Sequence, residues 1–472
     1  MMDASVHGPL AHWAACHPQR LAVCDGARSL SFADVQRVVQ ARAGALSAAS
    51  APPAVLISDT LSQQDQLLEL VSIIASGRCA AVGDPAWPAA QRRAAAQALL
   101  QLPTSADALF YIGFTSGSSG KPKGFCRSHA SWVASFKACN AAFGTAAQQA
   151  FFVPGRIAHS LFLFGMLHAL WNGSACVLQE KFTPGTALRR LAEGDLPAMV
   201  AVPSQLLLML AYARQHTLAP LASVRLILIG GARWPQQHTQ ALQNLFPNAD
   251  LRVFYGASEL SFVAWAAAEP GLPAVVVGRP FDGVELQLRP IGTAAEGEAD
   301  AADAPGQVWV RSPMAFAGYV GDAQADGSAC QRDGDWLSVR DIGAFDAQGR
   351  LCLLGRRDRM LSVQAKKLFP EEVEQVLESF SGVVRASVQA VPDDLRGVRL
   401  VALLVLEDAP DAGPTDLLAD LLRWCRTQLQ DHKVPRVFYQ AHRWHWTASG
   451  KTDHPRLAAA LHSEAEWLTP LR

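Results

Sequence analysis

The chain has 472 residues, half of them hydrophobic and only 18% charged, which excludes a disordered chain or a single small module and calls for more than one folding unit. A formal net charge of −1 provides no field that would draw it to nucleic acid or to an anionic membrane, so any anion site has to be local. Nine cysteines, an odd number with no CxxC pair, argue for buried reduced thiols and against a disulfide framework or a zinc site.

In chain order, the first basic residue is Arg20, so no charged region precedes an apolar stretch. The segment 31-SFADVQRVVQARAGAL-46 opens with a Ser three residues before an Asp and continues with apolar residues at helical spacing, which predicts a capping box and an amphipathic helix. Strand-like runs follow at 54-AVLIS-58, 149-QAFFV-153, 198-AMVAV-202, 224-VRLILI-229, 251-LRVFY-255 and 274-AVVV-277. Helix-like stretches, 64-QDQLLELVSIIAS-76, 184-PGTALRRLAEG-194 and 235-PQQHTQALQNLF-246, separate several of them. That alternation predicts a large N-terminal α/β domain with mostly parallel sheet, buried on both faces. The longest apolar run, 160-SLFLFGMLHALW-171, is too short to cross a bilayer, and the cytoplasm is the expected compartment.

Residues 291-IGTAAEGEADAADAPG-306 lack periodicity and read as an exposed connection. Beyond them the texture changes. A strand at 359-RMLSV-363, a helix begun by Pro370 in 370-PEEVEQVLESF-380, β runs at 383-VVRASVQAV-391 and 398-VRLVALLVL-406 around the turn 392-PDDLRG-397, and a helix at 415-TDLLADLLRWCRTQL-429 predict a small α+β C-terminal domain.

The stretch 110-FYIGFTSGSSGKPKGFCRSH-129 holds the clearest chemical signal. Its small residues allow close backbone approach, its hydroxyls and amides donate, and Lys121 and Lys123 add positive charge, a set suited to a polyphosphate. A strand-like run leads in and a helix-like run, 128-SHASWVASFKAC-139, leads out. The P-loop of nucleotide triphosphatases does not match, because Thr115 stands where its first Gly belongs and Pro122 follows Lys121.

The string 115-TSGSSGKPKG-124 resembles the phosphate loop of the AMP-forming adenylating superfamily, which includes acyl-CoA synthetases, aryl-acid and amino-acid adenylation domains and firefly luciferase. Further motifs follow in the family's order: 229-IGGARWP-235, 254-FYGASE-259, Asp341 in 335-DWLSVRDIG-343, 355-GRRDRMLSVQAKKLFPEEVE-374 and 447-TASGK-451. The resemblance implies an acid–thiol ligase using ATP, Mg2+ and coenzyme A, with an N-terminal adenylate-forming domain over 1–356 and a mobile C-terminal domain over 357–472. In that family a carboxylate attacks the α-phosphate of ATP and expels pyrophosphate, and a thiol then attacks the acyl-adenylate and expels AMP.

Carried over residue by residue, Thr115, Ser116, Gly117, Ser118, Ser119, Gly120, Lys121 and Lys123 would hold the phosphates. Gly231 and Ala232 would pass the adenine, and Tyr255 would stack on it within the nucleotide-binding run Tyr255, Gly256, Ala257 and Ser258. Glu259 aligns with the magnesium-coordinating acid, Asp341 with the acceptor of both ribose hydroxyls and Arg356 with a ribose and phosphate contact. Asp358 falls at the family's hinge, and Lys451 aligns with the mobile-domain lysine that bridges the α-phosphate and the substrate carboxylate. The sequence departs from the family at Val339 and Arg340, where Thr-Gly is usual, at Ala365 for a Gly, and at Lys367 for an Arg, which loses a planar fork.

Amino-acid adenylation domains pair the substrate ammonium with an Asp in the segment that here reads 156-RIAHSLFLFG-165. His159 and Ser160 stand there instead, which would leave an ammonium unpaired and favours a non-amino acid, fatty or aromatic. His159 therefore counts with Lys451 and Glu259 among the expected catalytic residues, and Phe162, Phe164, Met166, Phe262 and Trp265 are candidates for an apolar acid pocket. The thiol is expected to be coenzyme A, with two alternatives open: a carrier protein acting in trans, or a non-catalytic adenylate-binding homologue.

Overall fold

The computed structural model describes residues 4–49, 52–100, 109–116, 122–291, 305–320, 330–363, 366–393, 397–407, 414–446 and 452–471. The chain divides into two compact units, the first made of 1–272, 277–287 and 309–339, the second of 273–276, 288–308 and 340–472.

The first unit is α/β. Its larger sheet runs in the order Ser29–Ser31, Leu21–Cys24, Cys176–Leu178, Phe151–Val153, Ala198–Ala201, Leu226–Ile229, Asp250–Ala257, Ser261–Ala267, Val276–Pro280. The pairings from Leu21–Cys24 through to Asp250–Ala257 are all parallel, and the last two turn antiparallel. Parallel strands need both faces covered. Ala198–Ala201 and Leu226–Ile229 are buried at every residue, and helices such as Pro184–Glu193 and Pro203–Gln215 supply part of the cover. Each large apolar side chain so buried contributes about 1.5–3 kcal/mol.

The capping box forms as the sequence predicts: Ser31 Oγ accepts from the Asp34 amide, the Asp34 carboxylate accepts from the Ser31 amide, and the helix runs Phe32–Ala48. A second sheet orders Gly318–Tyr319, Pro122–Ser128, Leu109–Ser116, Cys79–Ala81, Ala54–Leu56, antiparallel at its first two pairings and parallel at its last two. The sheets are thus mixed.

Here the structure departs from the expected strand–loop–helix. The expected loop's flanks are strand: Thr115 pairs with Lys123 and Ser116 with Pro122, while residues 117–121 lie outside the described residues. Residues 123–127 of that second strand are all buried, so both of its faces are covered and it shows no period-2 alternation.

The second unit is α+β. Val383–Asp393, Gly397–Leu406, Val437–Ala441 and Leu468–Pro470 form a four-stranded sheet, with Leu361–Val363 pairing Lys366–Leu368 beside it as a separate ribbon. Helices Pro370–Glu378 and Pro414–Gln428 cover one face of that sheet through Val373, Leu377, Leu421 and Cys425. Helix His454–His462 covers the other through Leu457 and Ala460. The strand expected at 359–363 starts at Leu361, because Arg357–Arg359 form a 3-10 turn. Most of the expected connection, residues 292–304, lies outside the described residues.

Candidate functional site

In an open parallel sheet, loops leaving the carboxyl ends of neighbouring strands gather at one edge, where ligands bind. Four adjacent strands of the first unit, Phe151–Val153, Ala198–Ala201, Leu226–Ile229 and Asp250–Ala257, deliver at that edge the segment with His159, the turn at Val202, Gly231 with Ala232, and Gly256 through Glu259. The motifs lie far apart in the chain and the sheet collects them.

Gly231 adopts φ +82°, a left-handed conformation, and a Cβ built there would stand 3.2 Å from Val202 Cγ1 and 3.9 Å from His159 Cε1. His159 and the predicted adenine loop are therefore neighbours. Trp234, buried and donating from Nε1 to Thr239 Oγ1 at 2.9 Å, anchors that loop and leaves Gly231 and Ala232 exposed. His159 caps the helix Ser160–Trp171, its Nδ1 accepting from the Leu161 amide at 3.3 Å.

Tyr255 is half-buried with Ala257 and Ser258, while Gly256 is exposed and paired with Phe262. A Cβ at Gly256 would fall 2.1 Å from the Ser261 carbonyl oxygen, so only glycine fits the bend that turns the motif outward.

Glu259 is buried, and Tyr319 donates its hydroxyl to Oε1 at 2.8 Å while the Glu259 carbonyl accepts from the Phe316 amide at 2.8 Å. Beneath it lies Arg127, which belongs to none of the motifs that carry the family resemblance. Arg127 is buried and donates to the Ser258 carbonyl at 3.0 Å, the Met314 carbonyl at 2.6 Å and Ser131 Oγ at 3.3 Å. Burial pushes its pKa down to about 9, against the pull of Tyr111 and Glu259, which leaves the guanidinium charged at neutral pH.

A hard carboxylate oxygen suits Mg2+, which is held through one or two carboxylates and substrate phosphates rather than a protein cage. Glu259 fits that role, and among the described residues no group of three His, Cys, Asp or Glu could hold a metal on its own. Thr115 and Lys123 face each other across the hairpin, with Lys123 buried; Gly117, Ser118, Ser119, Gly120 and Lys121 lie outside the described residues.

In the second unit, Asp341 and Arg356 pair across two antiparallel strands, Asp341–Phe345 and Leu351–Arg356, with Arg356 Nε 3.2 Å from Asp341 Oδ1. The departure at Arg340 has a physical account. Its φ is +67°, the conformation for which a Gly is the natural residue, and its guanidinium reaches Asp358 at 3.0 Å. Lys367 is exposed on the short strand Lys366–Leu368, and Lys451 and Ala365 lie outside the described residues.

The expected pocket residues are largely buried. Met166 and Phe164 are buried, and Phe164 packs at 4.8 Å on Phe262, which stacks on Phe281 at 4.9 Å. Phe162 lies against Gly155, and Trp265 packs on Phe143 at 5.2 Å. In the same cluster His168, fully buried, bonds Asn140 Oδ1 at 2.8 Å. Burial pushes its pKa down to about 3, against about 6.5 in an unfolded chain. Below pH 6.5 the unfolded chain therefore binds a proton that the folded one refuses, and stability falls as pH drops from about 6.5 toward 3. The thermal midpoint is expected to fall between pH 7 and 4.5, and His168→Gln to make that fall shallower; an identical slope in the variant would refute the assignment.

Seven of the nine cysteines are buried, with Cys330 half-buried and Cys16 exposed. No helix among the described residues is long and apolar enough to cross a membrane.

Residues 49–320 match the AMP-binding enzyme family, and residues 372–451 match the AMP-binding enzyme C-terminal domain. The chain is 33% identical over 359 residues to an acyl-CoA ligase of Bacillus subtilis, YhfT, itself uncharacterized, covering 76% of this chain and 70% of that one. It is 29% identical over 343 residues to VraA of Staphylococcus epidermidis, named for long chain fatty acid-CoA ligation, covering 73% and 69%. The structure of o-succinylbenzoate coenzyme A synthetase, MenE, from Bacillus subtilis, in complex with ATP and magnesium ion, superposes with a TM-score of 0.78 at 20% identity, covering 95% of this chain and 98% of that one.

Proposed function

We propose a division of catalytic labour that starts from one premise: this chain belongs to the AMP-binding enzyme family. It is an AMP-forming ligase that joins an acid to coenzyme A with ATP and Mg2+. In the first half-reaction a carboxylate oxygen bonds to the α-phosphorus and the bond to pyrophosphate breaks. In the second, the thiol sulfur bonds to the acyl carbon, AMP leaves and the thiol proton is released.

In our reading Lys121, Lys123 and the hydroxyls of 115–119 grip the triphosphate, Tyr255, Gly231 and Ala232 take the adenine, and Asp341 with Arg356 takes the ribose. Glu259, oriented by Tyr319 and Arg127, is the Mg2+ ligand. The ion so held would neutralise phosphate charge and polarise the reacting group. Lys451 places its ammonium on the developing charge at the α-phosphate, and residues 357–472 form the mobile domain that carries it. His159, beside Gly231, sits where the acid's carboxylate has to meet the nucleotide.

The substrate we infer is a non-amino carboxylic acid, fatty or aromatic. The observation that carries it is His159 with Ser160 at the helix start, where no acid is present to pair an ammonium. The relatives YhfT and VraA, named for acyl-CoA and long chain fatty acid-CoA ligation, support the acyl side of that choice and with it a place in fatty acid metabolism. The cytoplasm, which supplies both ATP and coenzyme A, is the compartment that fits.

Acid-dependent ATP–pyrophosphate exchange over a panel of fatty, aromatic and amino acids tests this, followed by coenzyme A addition and thioester detection. Exchange is expected with fatty or aromatic acids and a thioester only after coenzyme A. Exchange confined to amino acids would overturn the substrate class, and adenylate that only a carrier protein discharges would overturn the acceptor.

A further inference from the structure

Four elements of the second unit converge on one carboxylate. Glu374, in the helix Pro370–Glu378, is buried, and Arg359 grips it with both ends of its fork: Nη2 to Oε1 at 2.6 Å and Nη1 to Oε2 at 3.1 Å. The Val388 amide of the sheet donates to Oε1 at 2.8 Å. Arg359 also reaches Glu371 Oε1 at 3.0 Å. Burial opposes ionisation of Glu374, yet the pairing with Arg359 outweighs it and holds the carboxyl below its usual range, so the pair is ionised at neutral pH.

The fourth element begins with His454, whose Nδ1 stands 3.8 Å from Glu374 Oε1 and 3.0 Å from Ser387 Oγ. His454 opens the helix His454–His462, capped by Asp453, which accepts from the Arg456 amide at 3.1 Å. Just before it, Thr452 pairs with Trp446 across an antiparallel bridge, the Asp453 amide donates to the His445 carbonyl at 2.9 Å, and Trp444 Nε1 donates to Thr452 Oγ1 at 3.3 Å. Thr452 and Asp453, which follow Lys451 in the chain, are therefore held to Trp446 and His445, and His454, bonded to Ser387 of the sheet, lies beside Glu374.

Resting on the reading of Lys451 as the transfer lysine, we propose that Glu374 is a positioning residue: with Arg359 and His454 it holds residues 452–454, which follow Lys451 in the chain, against the turn Arg357–Arg359. A lysine has a flexible four-carbon stem, so the place from which it starts decides whether its ammonium arrives on the reacting group. A buried ion pair is a poor source of stability, since apolar residues of similar volume often serve as well. It does enforce one arrangement of the elements that it joins.

The test is Glu374→Gln in the full-length enzyme, alone and combined with Lys451→Ala. On the wild-type background, kcat for pyrophosphate exchange is expected to fall about tenfold or more while KM for ATP changes little. On the Lys451→Ala background the same change is expected to cost nothing further, because the two act as one unit. Equal losses on both backgrounds, or a raised KM for ATP with kcat intact, overturn the proposal and leave the lysine's role standing. Undiminished exchange in Lys451→Ala alone overturns the lysine's role and the proposal with it. Should Glu374→Gln fail to fold, His454→Gln, which leaves the Arg359 pair in place, carries the same cycle.

Discussion

Lys451→Ala is expected to slow acid-dependent pyrophosphate exchange by about 10²- to 10³-fold, the size of effect seen when one preorganised donor to a developing charge is removed. ATP affinity is expected to change by less than about threefold, because the triphosphate's ground-state contacts belong to other residues and only the transition state gathers charge near the α-phosphorus. The signature is thus an equal drop in kcat and kcat/KM. Thioester formation from preformed acyl-adenylate is expected to survive, since that step expels AMP without a new bond at phosphorus. Exchange under saturating ATP, paired with direct ATP binding, decides the matter. A loss in ATP affinity that matches the loss in rate would mean that Lys451 is merely a binding residue.

Arg127→Met carries the second large effect. The guanidinium is buried and satisfies the carbonyls of Ser258 and Met314. Methionine fills the volume and leaves both oxygens without a donor, at about 1–3 kcal/mol each, so a loss of about 2–6 kcal/mol is expected in urea denaturation. Because Ser258 precedes Glu259, the proposed Mg2+ ligand, a higher Mg2+ requirement for exchange is expected to accompany it. Arg127→Lys should recover only part of either, as one ammonium cannot span three acceptors held in a planar fork. Unfolding within about 0.5 kcal/mol of wild type, a shift normal for surface changes, would show that water satisfies those carbonyls and that Arg127 orients nothing.

Much of the site was legible because its motifs are local. A bend that only glycine accepts at Gly256 and a cap at Ser31 are properties of a few consecutive residues, and local strings carry them. Arg127 was not legible, since its partners lie 131 and 187 residues away. The strand after the phosphate motif was missed because residues 123–127 are buried on both faces and carry no alternation to read. Phe164 and Met166 are buried, and sequence alone does not separate an apolar residue that lines a pocket from one that fills the core.

By itself the sequence determined the α/β body with its α+β companion, the order of the chemical motifs and the family they belong to, because hydrophobic period, capping and turn chemistry act over a few residues. Tertiary structure alone decided which of those motifs share a sheet edge, that Arg340 takes a left-handed conformation to reach Asp358, and that Arg359 and Val388 meet on the buried carboxylate of Glu374. Burial made the difference: a charge withdrawn from water must find its partners wherever the fold has brought them, and sequence distance does not enter.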